Sequence, residues 1–141
     1  MTIVQWLLLP AFVQVAWVTA LGIRMGRARV RVARAGQVRL KDIALNSSAW
    51  PEEVRKLSNN YDNQFQLPLL FFALLPLMIL LVKVDWFSVA LAWVFVASRI
   101  VHSLVHTGRN AVVRRFQVFL FGFATLATLW AWFALRLYVI G

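Results

Sequence analysis

Long apolar runs alternate with short polar interruptions along this chain. The runs cover residues 3–23, 65–82, 86–105 and 111–140. Each is close to or above the roughly 20 residues that a helix needs to cross a bilayer. The second and third are joined only by residues around Lys83, Val84 and Asp85, so they should be antiparallel neighbours. Thr107 and Gly108 form a comparably tight turn before the fourth.

A helix start precedes the second run. Pro51 suits the first helical position, and Glu52 and Glu53 suit the positive end of the helix dipole. A helix from Pro51 to Val82 would be about 45 Å long, at about 1.5 Å per residue, so its first turns should stand outside the hydrocarbon. Pro68 and Pro76 lie within it as potential kinks. The pattern predicts an all-α, integral membrane four-helix bundle in a single domain, 1–141, with spans at about 3–24, 51–82, 86–106 and 110–139. Two segments are less defined. Residues 26–36 fit either a basic helix on the membrane surface or an irregular stretch, and residues 37–50 read as a loop.

Composition agrees with the pattern. The chain is 62% hydrophobic and 14% charged, with a mean hydropathy of +0.73, whereas soluble domains are about a quarter charged. The first run has no basic residue before it and no clear small-x-small site, so it reads as a span rather than a cleaved signal. There is no cysteine, which excludes disulfides, thiolate metal sites and a cysteine nucleophile.

The net charge is +10, and it is concentrated at one end. Nine basic residues lie between the first and second runs, from Arg24 to Lys56, and Arg109, Arg114 and Arg115 lie between the third and fourth. Lys83 and Arg136 mark the other side. The positive-inside rule puts both basic loops in the cytoplasm and both termini outside. The charge also suits anionic membrane lipids. Nucleic acid is not an expected partner, because no soluble recognition module is present.

The polar interruptions are the candidate chemistry, because ionisable groups at membrane depth are costly and usually functional. Arg55, Asn59, Asn63 and Gln66 fall at about 0°, 40°, 80° and 20° around a helix, at about 100° per residue, and form one stripe. Arg99, His102, His106 and Asn110 follow at spacings of 3, 4 and 4, bordered by Ser103. Arg114 and Arg115 open the fourth helix. Topology puts all three clusters at the basic end. Arg99 must be paired or hydrated there, and Asp62 is a possible partner. The two imidazoles lack a third ligand nearby in sequence, so no metal is expected. Several arginines and amides with almost no carboxylate suit an anionic ligand. A positive, partly dry pocket also favours a thiolate over a thiol.

At these residues the chain resembles the membrane-associated proteins in eicosanoid and glutathione metabolism, the MAPEG family. It looks closest to the bacterial branch, and among family activities to microsomal glutathione S-transferase. The resemblance is carried by Asn59–Pro68, Ser98–His106 and Asn110–Phe116, and it covers nearly the whole chain. It implies a left-handed four-helix subunit in a homotrimer in the bacterial inner membrane. Glutathione would be co-substrate, bound between subunits near the cytosolic side, and a lipophilic small molecule the second substrate. Asn59, Asn63 and Gln66 stand at the family's Arg-x3-Asn-x2-Glu positions, with Arg55 one turn earlier. Arg99, His102 and His106 match Arg-x2-Tyr/His-x3-Tyr. Arg114, with Arg115 second, would then stabilise the thiolate. The resemblance thus implies a glutathione transferase or peroxidase. A non-catalytic protein of the same fold that binds lipid or fatty acid is the alternative, and a purely structural polar stripe is a third.

Overall fold

The computed structural model describes residues 1–44, 46–108 and 112–140. The described residues contain helices and turns but no strand. The major helices are α1 (Ile3–Arg34), α3 (Glu52–Asp62), α4 (Leu67–Leu80), α5 (Trp86–Thr107) and α6 (Val112–Leu135). A single helical turn, α2 (Leu40–Ile43), and a 3-10 turn (Ser47–Ala49) lie in the segment expected to be loop. Taken with α3, α4 serves as one crossing, so four helical segments are long and apolar enough to span a membrane.

α1 settles the open reading of residues 26–36 in favour of helix. Thr2 caps its start through a reciprocal box with Gln5, and it runs unbroken for 32 residues to Arg34. The Arg/Val alternation there conceals a stripe at helical spacing. Met25, Ala28 and Val32 pack with Val54, Leu57 and Trp50, while Arg27, Arg31 and Arg34 stay exposed and the half-buried Arg29 lies over Trp50 and donates to Ser58 Oγ at 2.9 Å. Gly36, at φ 67, takes the left-handed conformation just after the helix end.

The second crossing is not the continuous helix expected from Pro51. Pro51 is the extended cap before Glu52 (φ −54, ψ 152). The helix also gives way to a 3-10 turn at Asn63–Phe65, with Gln66 at ψ −87. Pro68 explains the break. It has no N–H for the Gln64 carbonyl four residues back, and its ring disfavours helical geometry just before it. Pro76, inside α4, leaves that helix continuous.

The core lies between α1, α4, α5 and α6. Leu7, Phe71, Leu74, Met78, Ala92, Phe95 and Leu129 are buried in it, with the Phe71 and Phe95 rings 4.9 Å apart. At the end with few basic residues, Asp85 caps α5 through Ser88. It also accepts from Trp132 Nε1 (2.8 Å) and lies 3.5 Å from Arg136. Partial burial raises its pKa, but the Ser88 and Trp132 hydrogen bonds and the Arg136 charge outweigh that, leaving the carboxyl below its ordinary value.

α5 and α6 pack closely at Gly122. A Cβ there would stand 2.6 Å from Ser98 Oγ and 3.9 Å from Arg99 Cδ. The Ser98 hydroxyl is itself held by the Phe95 carbonyl at 2.6 Å. Gly122→Val should therefore force the two helices apart and cost about 2–3 kcal/mol, typical of an overpacked core. Thermal unfolding in detergent checks this, and a melting temperature equal to that of the parent would refute it.

Candidate functional site

The break at residues 63–65 lies beside a cavity between the second crossing, α5 and α6. Asn59, Asp62, Asn63 and Gln66 line one wall of this open cavity of about 460 Å³. His102 and His106 of α5 line a second wall, and Val112, Arg115, Phe116 and Phe119 of α6 a third. The two imidazoles are almost fully buried, with ring centroids 6.1 Å apart. Neither Nδ1 has a hydrogen-bond partner among the described residues.

Arg99 lies directly behind this cavity. It is fully buried, and its Nη2 donates to the Asn63 carbonyl at 3.3 Å. That carbonyl lies where the regular helix gives way to the 3-10 turn. Arg99 Nε and Nη1 have no hydrogen-bond partner among the described residues, and the guanidinium carbon is 6.0 Å from the Phe119 ring centroid. No carboxylate pairs with Arg99 among the described residues. Asp62, the suggested partner, is exposed on the cavity wall instead.

The remaining site residues separate. Arg55 is exposed and lines a neighbouring pocket with Arg29, Trp50 and Ser58, which meets the first at Asn59 and Asp62. Arg114 is exposed and does not line the cavity, whereas Arg115 does. The cause is helical spacing: residues 112, 115, 116 and 119 share a face of α6, and residue 114 is turned about 100° from residue 115. Asn110 lies outside the described residues. The described residues contain no His/Cys/Asp/Glu group suited to a metal.

A second set of buried polar residues escaped the stripe. Asn60 Nδ2 donates to Ser103 Oγ (2.8 Å), and Gln14 Nε2 donates to Gln64 Oε1 (3.2 Å). Gln64 Nε2 reaches the Asn60 carbonyl at 3.4 Å. These bonds tie α1, the helix break and α5 together behind the cavity. Asn60 and Gln64, one helical turn apart, stand in the polar stretch 58–66 that hides them, so the available signal was the isolated Gln14 in the apolar run of α1.

The arrangement is a cavity with amides and imidazoles on two sides, and an arginine beside aromatic rings on the third. The MAPEG family model matches residues 7–135, which include every helix that forms it. The chain belongs to the MAPEG family. No curated protein and no solved structure matches it. The family assignment makes this an integral membrane protein, consistent with the four apolar crossings. Exposed apolar side chains of the helices, such as Phe12, Leu69 and Phe121, suit a lipid environment.

Proposed function

We propose that this MAPEG protein is a membrane-embedded glutathione transferase or peroxidase acting on lipophilic electrophiles. One observation carries the reading: Arg115 shares a cavity with polar groups of three segments on one side and with Val112, Phe116 and Phe119 on the other. The polar wall suits the carboxylates and peptide groups of glutathione, and the apolar wall suits a substrate arriving from the bilayer. Asn63 and His106 would bind the thiol's polar groups, and Arg99 would supply positive charge from behind them. Asn59 and Gln66 provide neutral amides where much of the family carries charge, so they would hold the ligand by hydrogen bonds alone.

Arg115 would stabilise the thiolate after its proton passes to water. The thiolate then attacks an electrophilic carbon, forming the C–S bond as the leaving group departs with its electron pair. With a lipid hydroperoxide, two thiols are oxidised to a disulfide while the hydroperoxide is reduced to an alcohol and water. No protein nucleophile is required, which is compatible with a chain without cysteine. We further propose a homotrimer in the bacterial inner membrane, with the basic end cytoplasmic and both termini outside.

The test is turnover by purified protein of an aromatic chloride, with and without glutathione. A rate that saturates with glutathione supports the assignment, and a rate no greater than that of empty detergent micelles rejects it. The same apolar wall also suits a fatty acid held without chemistry. That alternative predicts lipid retained in native mass spectra and no thiol-dependent rate.

A further inference from the structure

We infer that the groove between α1 and α3 is a binding site for one anionic glycerophospholipid, separate from the cavity above. The groove is about 670 Å³, lined by Ala20, Ile23, Arg24, Arg27, Ala28, Arg31, Glu53 and Leu57. Arg24, Arg27 and Arg31 are spaced 3 and 4, so one face of α1 carries all three guanidinium groups. Arg31 is already paired with Glu53 at 2.9 Å. Arg24 and Arg27 are exposed and have no ion pair among the described residues, leaving two uncompensated charges in the groove.

Depth decides for a lipid over a soluble anion. The apolar run 3–23 of α1 spans about 31 Å, close to the hydrocarbon thickness of about 30 Å. Arg24 and Arg27 then stand about 1.5 and 6 Å beyond it, within the headgroup layer. Arg31 stands about 12 Å beyond, so its pair with Glu53 lies at the aqueous side of the groove. On the membrane side, Ala20 and the half-exposed Ile23 supply an apolar surface for an acyl chain. Ala28 and Leu57 are buried in the α1–α3 contact and form a fixed floor. The site therefore presents two cations at phosphate depth above an apolar track, which matches a lipid with an anionic headgroup.

Native mass spectrometry of the intact protein released from nanodiscs tests this, comparing phosphatidylglycerol with phosphatidylcholine. Wild type should retain phosphatidylglycerol and release phosphatidylcholine. Arg24→Gln/Arg27→Gln should lose at least about tenfold in phosphatidylglycerol retention, since each interfacial cation contributes about 1 kcal/mol. Arg34→Gln/Lys41→Gln removes the same charge outside the groove and should retain the lipid as wild type does. Equal loss in both double variants, or equal retention of both lipids by wild type, would overturn the proposal. So would displacement of the lipid by millimolar inorganic phosphate. Circular dichroism confirms that the variants are folded, and the headgroup comparison on wild type stands without them.

Discussion

Arg115→Ala should lower kcat/KM for glutathione addition to a soluble electrophile by about a hundredfold, while Arg114→Ala changes it less than about threefold. Removing a group that stabilises charge formed during a reaction typically costs a factor of about 100 to 1,000. Arg115 lines the cavity, with Phe116 and Phe119 limiting water on its side, and Arg114 stands exposed off that wall. The pH dependence separates charge stabilisation from mere structure. With Arg115 present the thiolate forms below the ordinary thiol pKa of about 8.5. Without it, the rate should climb with pH toward that value and recover much of the loss. A pH-independent deficit in Arg115→Ala, or an equal deficit in Arg114→Ala, would remove Arg115 from this role.

The second large effect concerns Arg99. A fully buried guanidinium that has, among the described residues, one backbone hydrogen bond and no carboxylate partner is costly to keep. If it served only to hold helices together, Arg99→Met would destabilise the protein. If it supplies charge for an anionic ligand, Met relieves a desolvation penalty and fills similar volume. The ligand-free protein should then melt at the same temperature or higher, while glutathione affinity falls roughly tenfold to a hundredfold, the range for a lost charge-assisted hydrogen bond of about 1.5–3 kcal/mol. A lower melting temperature with unchanged glutathione affinity would make Arg99 structural. Paired thermal melts and ligand titrations of the two proteins separate these outcomes.

The fold was legible where the signal was periodic. Apolar run lengths marked four crossings, and the short links after Leu80 and at Gly108 marked the antiparallel neighbours α4, α5 and α6. The break at 63–65 was not placed. Pro68 and Pro76 are equal as sequence signals, and only the first interrupts the helix. α4 stays continuous through Pro76, whereas near the break the Asn63 and Asn60 carbonyls accept from the side chains of Arg99 and Gln64. The arginine-rich end of α1 was ambiguous between a surface helix and an irregular stretch, because its apolar spacing gains meaning only when Met25, Ala28 and Val32 are matched to a partner surface.

The candidate site divides along the same line. Helical spacing places Asn59, Asn63 and Gln66 on one face and His102 and His106 on another, and the structure brings both faces to one cavity. Spacing cannot orient a helix start, and α6 turns Arg115 rather than Arg114 inward. Nor did it reveal Asn60, Gln64 and Gln14, whose bonds depend on three segments meeting. The wheel that aligned the stripe at about 0–80° puts Asn60 and Gln64 off it, at about 140° and 180°, on the side that proves buried against α5 and α1.

The central claim is that the cavity beneath Arg115 binds a thiol-bearing anion of the glutathione type. Thermal unfolding of the purified wild-type protein across a glutathione titration tests it most directly. A ligand that binds the native state raises stability without saturating, by about 2.7 kcal/mol at a hundredfold excess over Kd. The account predicts a melting temperature that keeps rising with glutathione concentration, and a rise that in Arg99→Met sets in only at roughly tenfold to hundredfold higher concentration. A melting temperature that stays flat into the tens of millimolar would contradict it.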